Sequence, residues 1–269
     1  MTLGIVTISF NQARFLPEAI ESVRLRDANS GDLRYVIVDA GSRDGSRDVI
    51  AQHRERFAAV ILEPDQGPAD GLNKGFAACG GDILGYLNSD DRFTPGALDF
   101  VLDYFERHRH VDVLLGAVRM VDEQGRPHWR GRAVDHLDLR EFAYGAGFIW
   151  QQATFFRRAY FERAGGFNPA NRISWDSELV IDLALAGARF GYTPLALGDF
   201  RIYGESITGS GRLAALGQQE LARVRQKILQ SGVRPMPQWE ERMARAVYRY
   251  NPLRHWRSSR LRLPPAGPG

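Results

Sequence analysis

The sequence predicts an α/β protein: a mostly parallel central sheet flanked by helices, followed by a helical, basic C-terminal extension. Three observations carry that reading. Strand-like and helix-like segments alternate through the first half, the strand-like segments end in polar clusters, and charge divides unevenly between body and tail. From Arg212 onward there are twelve Arg and Lys against Glu220, Glu240 and Glu241, so the rest of the chain is net acidic although the whole carries +3. The expected division is 1–210 for the main domain, with halves at about 1–115 and 116–210, and 211–269 for the extension.

Leu3–Ser9 is β-rich and apolar and opens the sheet. Phe15, Leu16, Ala19, Ile20 and Val23 then fall at helical spacing, with Pro17 acceptable in a first turn. Residues 35–39 form a second strand, followed by a Gly/Ser/Asp turn and a helix to about Phe57. Residues 59–63 read as strand, 69–78 as helix and Ile83–Asn88 as a fourth strand. Thr94 is the expected cap of a helix opening with Pro95 and burying Leu98, Val101, Leu102 and Phe105.

The second half is less regular. Residues 111–120 and 153–157 read as strands, 125–137 as a polar excursion, and 176–186 as a helix. Residues 206–212, SITGSGR, form a turn-rich loop; 213–230 and 239–250 are helical, and the terminal LPPAGPG is expected to be disordered. Cys79 is the only cysteine, which excludes an internal disulfide or a Cys-based zinc site and suits a reducing compartment. No apolar run approaches the roughly 20 residues of a spanning helix. MTLGIVTISF reads as a strand rather than a secretory signal, so the expected location is the cytoplasm.

In a parallel sheet, ligands bind beyond the carboxyl ends of the strands. Those ends carry Ser9-Phe10-Asn11, Asp39-Ala40-Gly41-Ser42, Glu63-Pro64-Asp65 and Asn88-Ser89-Asp90-Asp91. Four polar ends at one edge point to a site.

Four blocks, VTISFNQARFLPEAIESV, YVIVDAGSRDGSRDVI, EPDQGPADGLNKGFAACGGDILGYLNSDD and TFFRRAYFERAGGFNPANRISWDSELVIDLALAG, occur in order over about residues 3–190. Together they resemble family 2 glycosyltransferases of the GT-A fold. The resemblance implies an enzyme that moves a sugar from a nucleotide-diphosphate sugar (UDP-, GDP- or dTDP-linked) to a hydroxyl of a glycan or lipid-linked acceptor, with inversion, in surface polysaccharide or glycolipid assembly. The chemistry asks for the same groups: a departing diphosphate needs a divalent cation or Arg/Lys, and hard oxygen ligands on a short loop suit Mn²⁺ or Mg²⁺.

The resemblance places Asp91 on the metal, and Ser89 and Asp90 beside the ribose or a phosphate-bound water. It places Thr7, Ser9 and Asn11 along the base or ribose. Asp39 would bind the base, or else close an Asx-turn feeding Gly41. Asp65, Asn73 and Lys74 would border the nucleotide sugar, with Lys74 reaching a phosphate or pairing with Asp65 or Asp70. Asp176 aligns with the general base and Glu178 is the fallback; a helix N-terminus at Asp176 would lower its pKa. Gln152 and Trp175 are expected on the acceptor side. Many relatives supply a histidine after the late strand. Here FRIYGESITGSGR offers Tyr203, Ser206, Thr208 and Arg212 instead, with Arg212 a candidate for phosphate charge.

In the tail, arginines alternate with Met243, Val247, Tyr248, Tyr250, Leu253 and Trp256 at helical spacing. That pattern suits an anionic membrane surface at its inner face, a helix packed on its own domain, or a homo-oligomer contact. No nucleic-acid motif accompanies the charge. The rival functions are a sugar-phosphate nucleotidyltransferase, disfavoured because SFNQARF stands where that class has a Gly-rich loop, and an inert nucleotide-sugar-binding or assembly module.

Overall fold

The structure, a computed structural model, describes residues 1–25, 33–130, 134–204 and 213–250. The expected loop 206–212, Arg212 with it, and the terminal LPPAGPG lie outside them.

Among the described residues nine strands form one sheet: β1 (Leu3–Ser9), β2 (Leu33–Asp39), β3 (Ala59–Ile61), β4 (Ile83–Asn88), β5 (Arg92–Phe93), β6 (Val113–Val121), β7 (Pro127–Arg130), β8 (Thr154–Arg157) and β9 (Phe190–Arg201). The order is β3-β2-β1-β4-β8-β6-β9-β5, with β7 added to β6. The first four strands are parallel. Beyond them the sheet is mixed, because β8 enters antiparallel between β4 and β6, whereas β6 and β9 run parallel. The chain leaves β1 to one side for β2 and returns to the other for β4. That reversal opens a crevice at the carboxyl ends of β1 and β4.

Alternation along the central strands sends side chains to two cores. Leu3 and Ile5 of β1, Tyr35 and Ile37 of β2, and Ile83 and Leu87 of β4 meet one set of helices. These are α1 (Leu16–Ser22), α2 (Ser46–Gln52) and α4 (Ala97–Arg107). Val6, Val36, Val38, Leu84 and Tyr86 face the other side. There they meet α3 (Pro68–Ala78), α7 (Trp175–Leu185) and, through Val224 and Ile228, α8 (Ala214–Gln230). Helix α3 approaches β1 and β2 so closely that a Cβ on Gly75 would collide with Val6 and press on Val38. Short helices α5 (Leu139–Ala143) and α6 (Arg158–Ala164) and the C-terminal α9 (Gln238–Tyr250) complete the fold.

Several expectations change: the sheet is mixed rather than mostly parallel, and β7 lies within the expected polar excursion 125–137, because strands of the second half enter antiparallel. Thr94 does not cap α4: its hydroxyl donates to the Ala196 carbonyl at 2.6 Å, and Gly96, in the left-handed region at φ 76°, precedes the first turn instead. The twelve residues of β9 were not foreseen as an element, because Gly191, Pro194 and Gly198 interrupt its apolar pattern.

Candidate active site

The acidic end of β4 is the best-defined part of the crevice. Asp91 is 2% exposed. One of its oxygens accepts from the Gln152 side-chain amide at 2.6 Å and the other from the Arg201 backbone N–H at 2.9 Å. Asp90 accepts from the Tyr203 hydroxyl at 3.1 Å, and Tyr203 in turn accepts from Gln12 at 2.9 Å. Arg201 is almost wholly buried beneath the loop. Its guanidinium donates to the carbonyls of Asp90 and Glu123 and to Glu18, and lies 4.6 Å from the Phe15 ring centroid.

Burial pushes Asp90 upward, against Tyr203 and Arg201. Asp91 is raised well above the carboxylate range by burial and then by Asp90, despite Gln152 and Arg201. Two adjacent carboxylates, one buried and one partly exposed, both raised in pKa, would gain from a nearby positive charge. The donor set is hard oxygen, which fits Mn²⁺ or Mg²⁺. No group of three His, Cys, Asp or Glu suited to a metal occurs among the described residues, so most other ligands would have to come from outside the protein. Two buried side-chain atoms on neighbouring segments, the Ser9 hydroxyl oxygen and the Gln151 amide nitrogen, have no hydrogen-bond partner among the described residues. Polar atoms left open beside a strand end are what a polar ligand would complete.

Beside this loop a cleft of about 480 Å³ is lined by Phe10, Asn11, Gln12, Phe15, Asp44 and Tyr203. Phe10 is 60% exposed at its rim. Asn11 takes a left-handed φ of 53° and reaches the Arg43 N–H, while its own N–H donates to Ser42. Thr7 lies fully buried beneath, accepting from the Tyr35 hydroxyl at 3.0 Å. Asp39 is fully buried as well. One oxygen accepts from Gly41 N–H, Ser42 N–H and the Arg47 guanidinium, the other from the Ser42 hydroxyl at 2.5 Å. Burial works against its charge, but Ser42 and Arg47 hold it below the usual range. The bond from Gly41 N–H closes an Asx-turn at Asp39.

The β3–α3 corner is more self-contained than expected. Asp65 accepts from Gly67 N–H and is raised by burial. Lys74 pairs with Asp70 at 3.0 Å and donates to the Pro64 carbonyl, so its charge is engaged locally. Both ends of the Asn73 amide bind the Phe167 backbone, at 2.8 and 2.9 Å. Ser89 is buried, its N–H bound to the Ile8 carbonyl.

At the start of α7, Asp176 is partly exposed. The expected lowering by the helix N-terminus is reversed. Burial raises Asp176 to about 6, outweighing the hydrogen bond from Ser177 N–H. Glu178 is the opposite case: fully buried, it is held down at about 2 against the effect of burial by Arg223, Asn171, Lys227 and Asn168. With its oxygens so occupied, Glu178 is a structural ion rather than a reserve base. Trp175 is 6% exposed and packs on Tyr86 and Phe167, with ring centroids 5.6 and 5.5 Å apart. Gln152 lies on Asp91 rather than apart from it, and Gln151 receives the Asn88 amide at 2.9 Å.

Arg201 and Glu220 were not foreseen. Arg201 terminates the unforeseen β9. Glu220, on α8, is 6% exposed and accepts from the backbone N–H groups of Arg172, Ile173 and Ser174 at 2.6, 2.8 and 3.1 Å. It thereby holds the loop that leads into Asp176. The available signal was that it is the only acidic residue in α8.

The family profile described as Glycosyl transferase family 2 matches residues 4–165. The chain belongs to glycosyl transferase family 2. Among curated relatives, an uncharacterised glycosyltransferase of Mycobacterium tuberculosis is 30% identical over 187 residues, 68% of this chain and 69% of that protein. An uncharacterised glycosyltransferase of a Nostoc species is 34% identical over 132 residues, 46% of this chain but only 40% of its own length. The PGL/p-HBAD biosynthesis glycosyltransferase of Mycobacterium bovis is 29% identical over 179 residues, covering 64% of this chain and 66% of that one. Among solved structures, Staphylococcus aureus TarS 1–349 in complex with UDP superposes with a TM-score of 0.65 at 17% identity, over 92% of this chain and 70% of that one. The mannosyltransferase PcManGT of Pyrobaculum calidifontis, in complex with GDP-Man and Mn²⁺, gives 0.59 at 17%, over 95% and 83%. At such identities the likeness is one of fold, and it is the GT-A fold that the sequence led us to expect. No helix among the described residues is long and apolar enough to cross a membrane.

Proposed function

We propose that this family 2 glycosyltransferase transfers a sugar, with inversion, from a nucleotide-diphosphate sugar to a hydroxyl of a glycan or lipid-linked acceptor. The observation that carries the reading is the Asp90–Asp91 pair at the carboxyl end of β4, Asp91 buried and Asp90 partly exposed, both raised in pKa and bordered by the buried Ser9 hydroxyl and Gln151 amide. UDP and GDP-Man in two structural neighbours support the donor class. A PGL/p-HBAD biosynthesis relative supports a glycolipid product.

In this reading Asp91, with Asp90 and Ser89 beside it, holds Mn²⁺ or Mg²⁺, which supplies positive charge for the departing diphosphate. Gln152 and the Arg201 N–H aim the Asp91 carboxylate, and Tyr203 aims Asp90. The cleft beside Asn11 and Phe10 receives the nucleoside, with Ser9 supplying an open hydroxyl. Asp176 takes the proton of the acceptor hydroxyl. A base near 6 is ionised at neutral pH yet more basic than an ordinary aspartate, which suits that step. Arg212 remains our candidate for a further phosphate contact.

Calorimetry of UDP and GDP binding with and without Mn²⁺, alongside a transfer assay, tests the scheme. Asp91→Ala is expected to lose the metal-dependent part of the affinity; Asp176→Asn is expected to keep binding and lose transfer. Unchanged metal-dependent affinity in Asp91→Ala would sink the metal assignment, and undiminished transfer by Asp176→Asn the base assignment.

A further inference from the structure

We propose that the outward face of α9 is a docking surface for an anionic lipid bilayer. The inference goes beyond the transfer reaction and stands whether or not the catalytic assignments do.

The helix is fixed to the body along one side. Arg140 pairs with Glu240 and donates to the carbonyls of Arg234 and Pro235, at 2.7, 2.8 and 3.0 Å. Arg245 donates to the Tyr144 carbonyl at 2.8 Å, and the Tyr144 hydroxyl accepts from Met236 N–H at 3.0 Å. The Tyr248 ring stands edge-on to Phe148 at 5.8 Å. These contacts fix which face points away.

That outward face is apolar. Trp239, Met243 and Val247, four residues apart and therefore in one row, are 64%, 58% and 56% exposed. Arg242 and Ala246 are exposed among them. A helix meant only to pack on its domain would turn its tryptophan inward. Here the inward face is made by ion pairs and hydrogen bonds, and the largest apolar side chain is left outside.

Charge complementarity selects the occupant. From Arg242 to the C-terminus there are seven arginines and no Asp or Glu, behind a net acidic body. A row of Trp, Met and Val beside Arg242, with Glu240 and Glu241 of the same helix already paired to Arg140 and Arg245, suits a helix lying in the interface of an anionic bilayer: the apolar row enters the acyl boundary while guanidinium groups meet headgroup phosphates. A nucleic-acid backbone would answer the charge but leave the apolar row unused.

The placement bears on the site. Tyr248 contacts Phe148, which packs against Trp150 at 5.1 Å, and Trp150 adjoins Gln151 and Gln152 at the acidic loop. A bilayer seated on α9 would therefore lie at a fixed distance from the crevice.

Sedimentation of the full chain with phosphatidylcholine vesicles, and with vesicles of equal phosphatidylcholine and phosphatidylglycerol, tests the proposal. Binding is expected only to the mixed vesicles and is expected to weaken as salt rises. Because the three apolar side chains are exposed, a Trp239→Ser, Met243→Ser, Val247→Ser triple variant should keep the wild-type melting temperature and lose affinity by about tenfold or more. Arg242→Glu should weaken binding and flatten its salt dependence. Equal binding to both vesicle types overturns the proposal, as does a triple variant that binds like wild type. So does a lipid-free dimer abolished by the triple variant, or tighter binding to duplex DNA that the triple variant retains.

Discussion

The side-chain amide of Gln152 donates to Asp91 at 2.6 Å, across 61 residues of sequence and between two segments buried from water. Asp91 is already pushed upward by burial and by Asp90. Gln152 is one of the two groups in contact that favour its charged form.

Replacing Gln152 with Leu should therefore raise Asp91 further and lower Mn²⁺-dependent nucleotide affinity by about 10- to 100-fold, as loss of a supporting contact does at metal sites. The deficit should widen as pH falls, since more protons must leave on binding. Titration calorimetry from pH 6 to pH 8 reads both effects; a deficit independent of pH would detach Gln152 from the ionisation of Asp91.

The pH profile of transfer should carry the signature of Asp176. With its carboxyl raised to about 6, kcat/KM should climb about tenfold per pH unit below that value and level off above it. Stability runs the other way. A raised carboxyl binds its proton more tightly in the folded state, so this group's contribution falls as pH rises from near 4 through 6. Asp176→Asn should accordingly melt higher than wild type at pH 7, with the gap closing at pH 4.

Glu220→Ala removes the acceptor shared by three backbone N–H groups ahead of α7. Its expected effect is on positioning: kcat falls about 100-fold through displacement of Asp176, while affinity for the nucleotide is nearly unchanged. Glu220→Gln, which keeps an acceptor oxygen, should restore much of the rate. Equal loss of donor affinity and kcat would instead mean general damage to the fold.

Gly75→Ala should cost about 1–3 kcal/mol by overpacking α3 against Val6 and Val38. Urea denaturation measures it. The same substitution at Gly145, whose φ of 73° lies in a turn with no atom near the new Cβ, should act through backbone strain alone and cost less.

The parallel half of the sheet was readable because its strands are short apolar runs closed abruptly by polar residues, as Leu3–Ser9 and Ile83–Asn88 show. β9 was not, since a strand that meets others on both sides can hold Gly191, Pro194 and Gly198 without exposing an alternating pattern. At the site, residue type pointed to the Asp90–Asp91 loop, but the partners of each carboxylate depend on which distant segments the sheet brings together. Asp39 and Asp176 illustrate the limit. Both are aspartates at element boundaries. Hydrogen bonds outweigh burial at Asp39, and burial outweighs hydrogen bonds at Asp176. Only packing distinguishes them.

Arg201 has a consequence for how the molecule comes into being. Its backbone N–H and guanidinium support residues 90 and 91, and it reaches back 183 positions to Glu18. During synthesis the four parallel strands emerge first and can pair among themselves, but the acidic loop has no guanidinium beneath it until residue 201 leaves the ribosome. Contacts of such long sequence separation form late and slowly. A nascent chain thus carries the parallel half of its sheet well before it carries an ordered acidic loop, and a truncation before β9 should fold in part without acquiring the site.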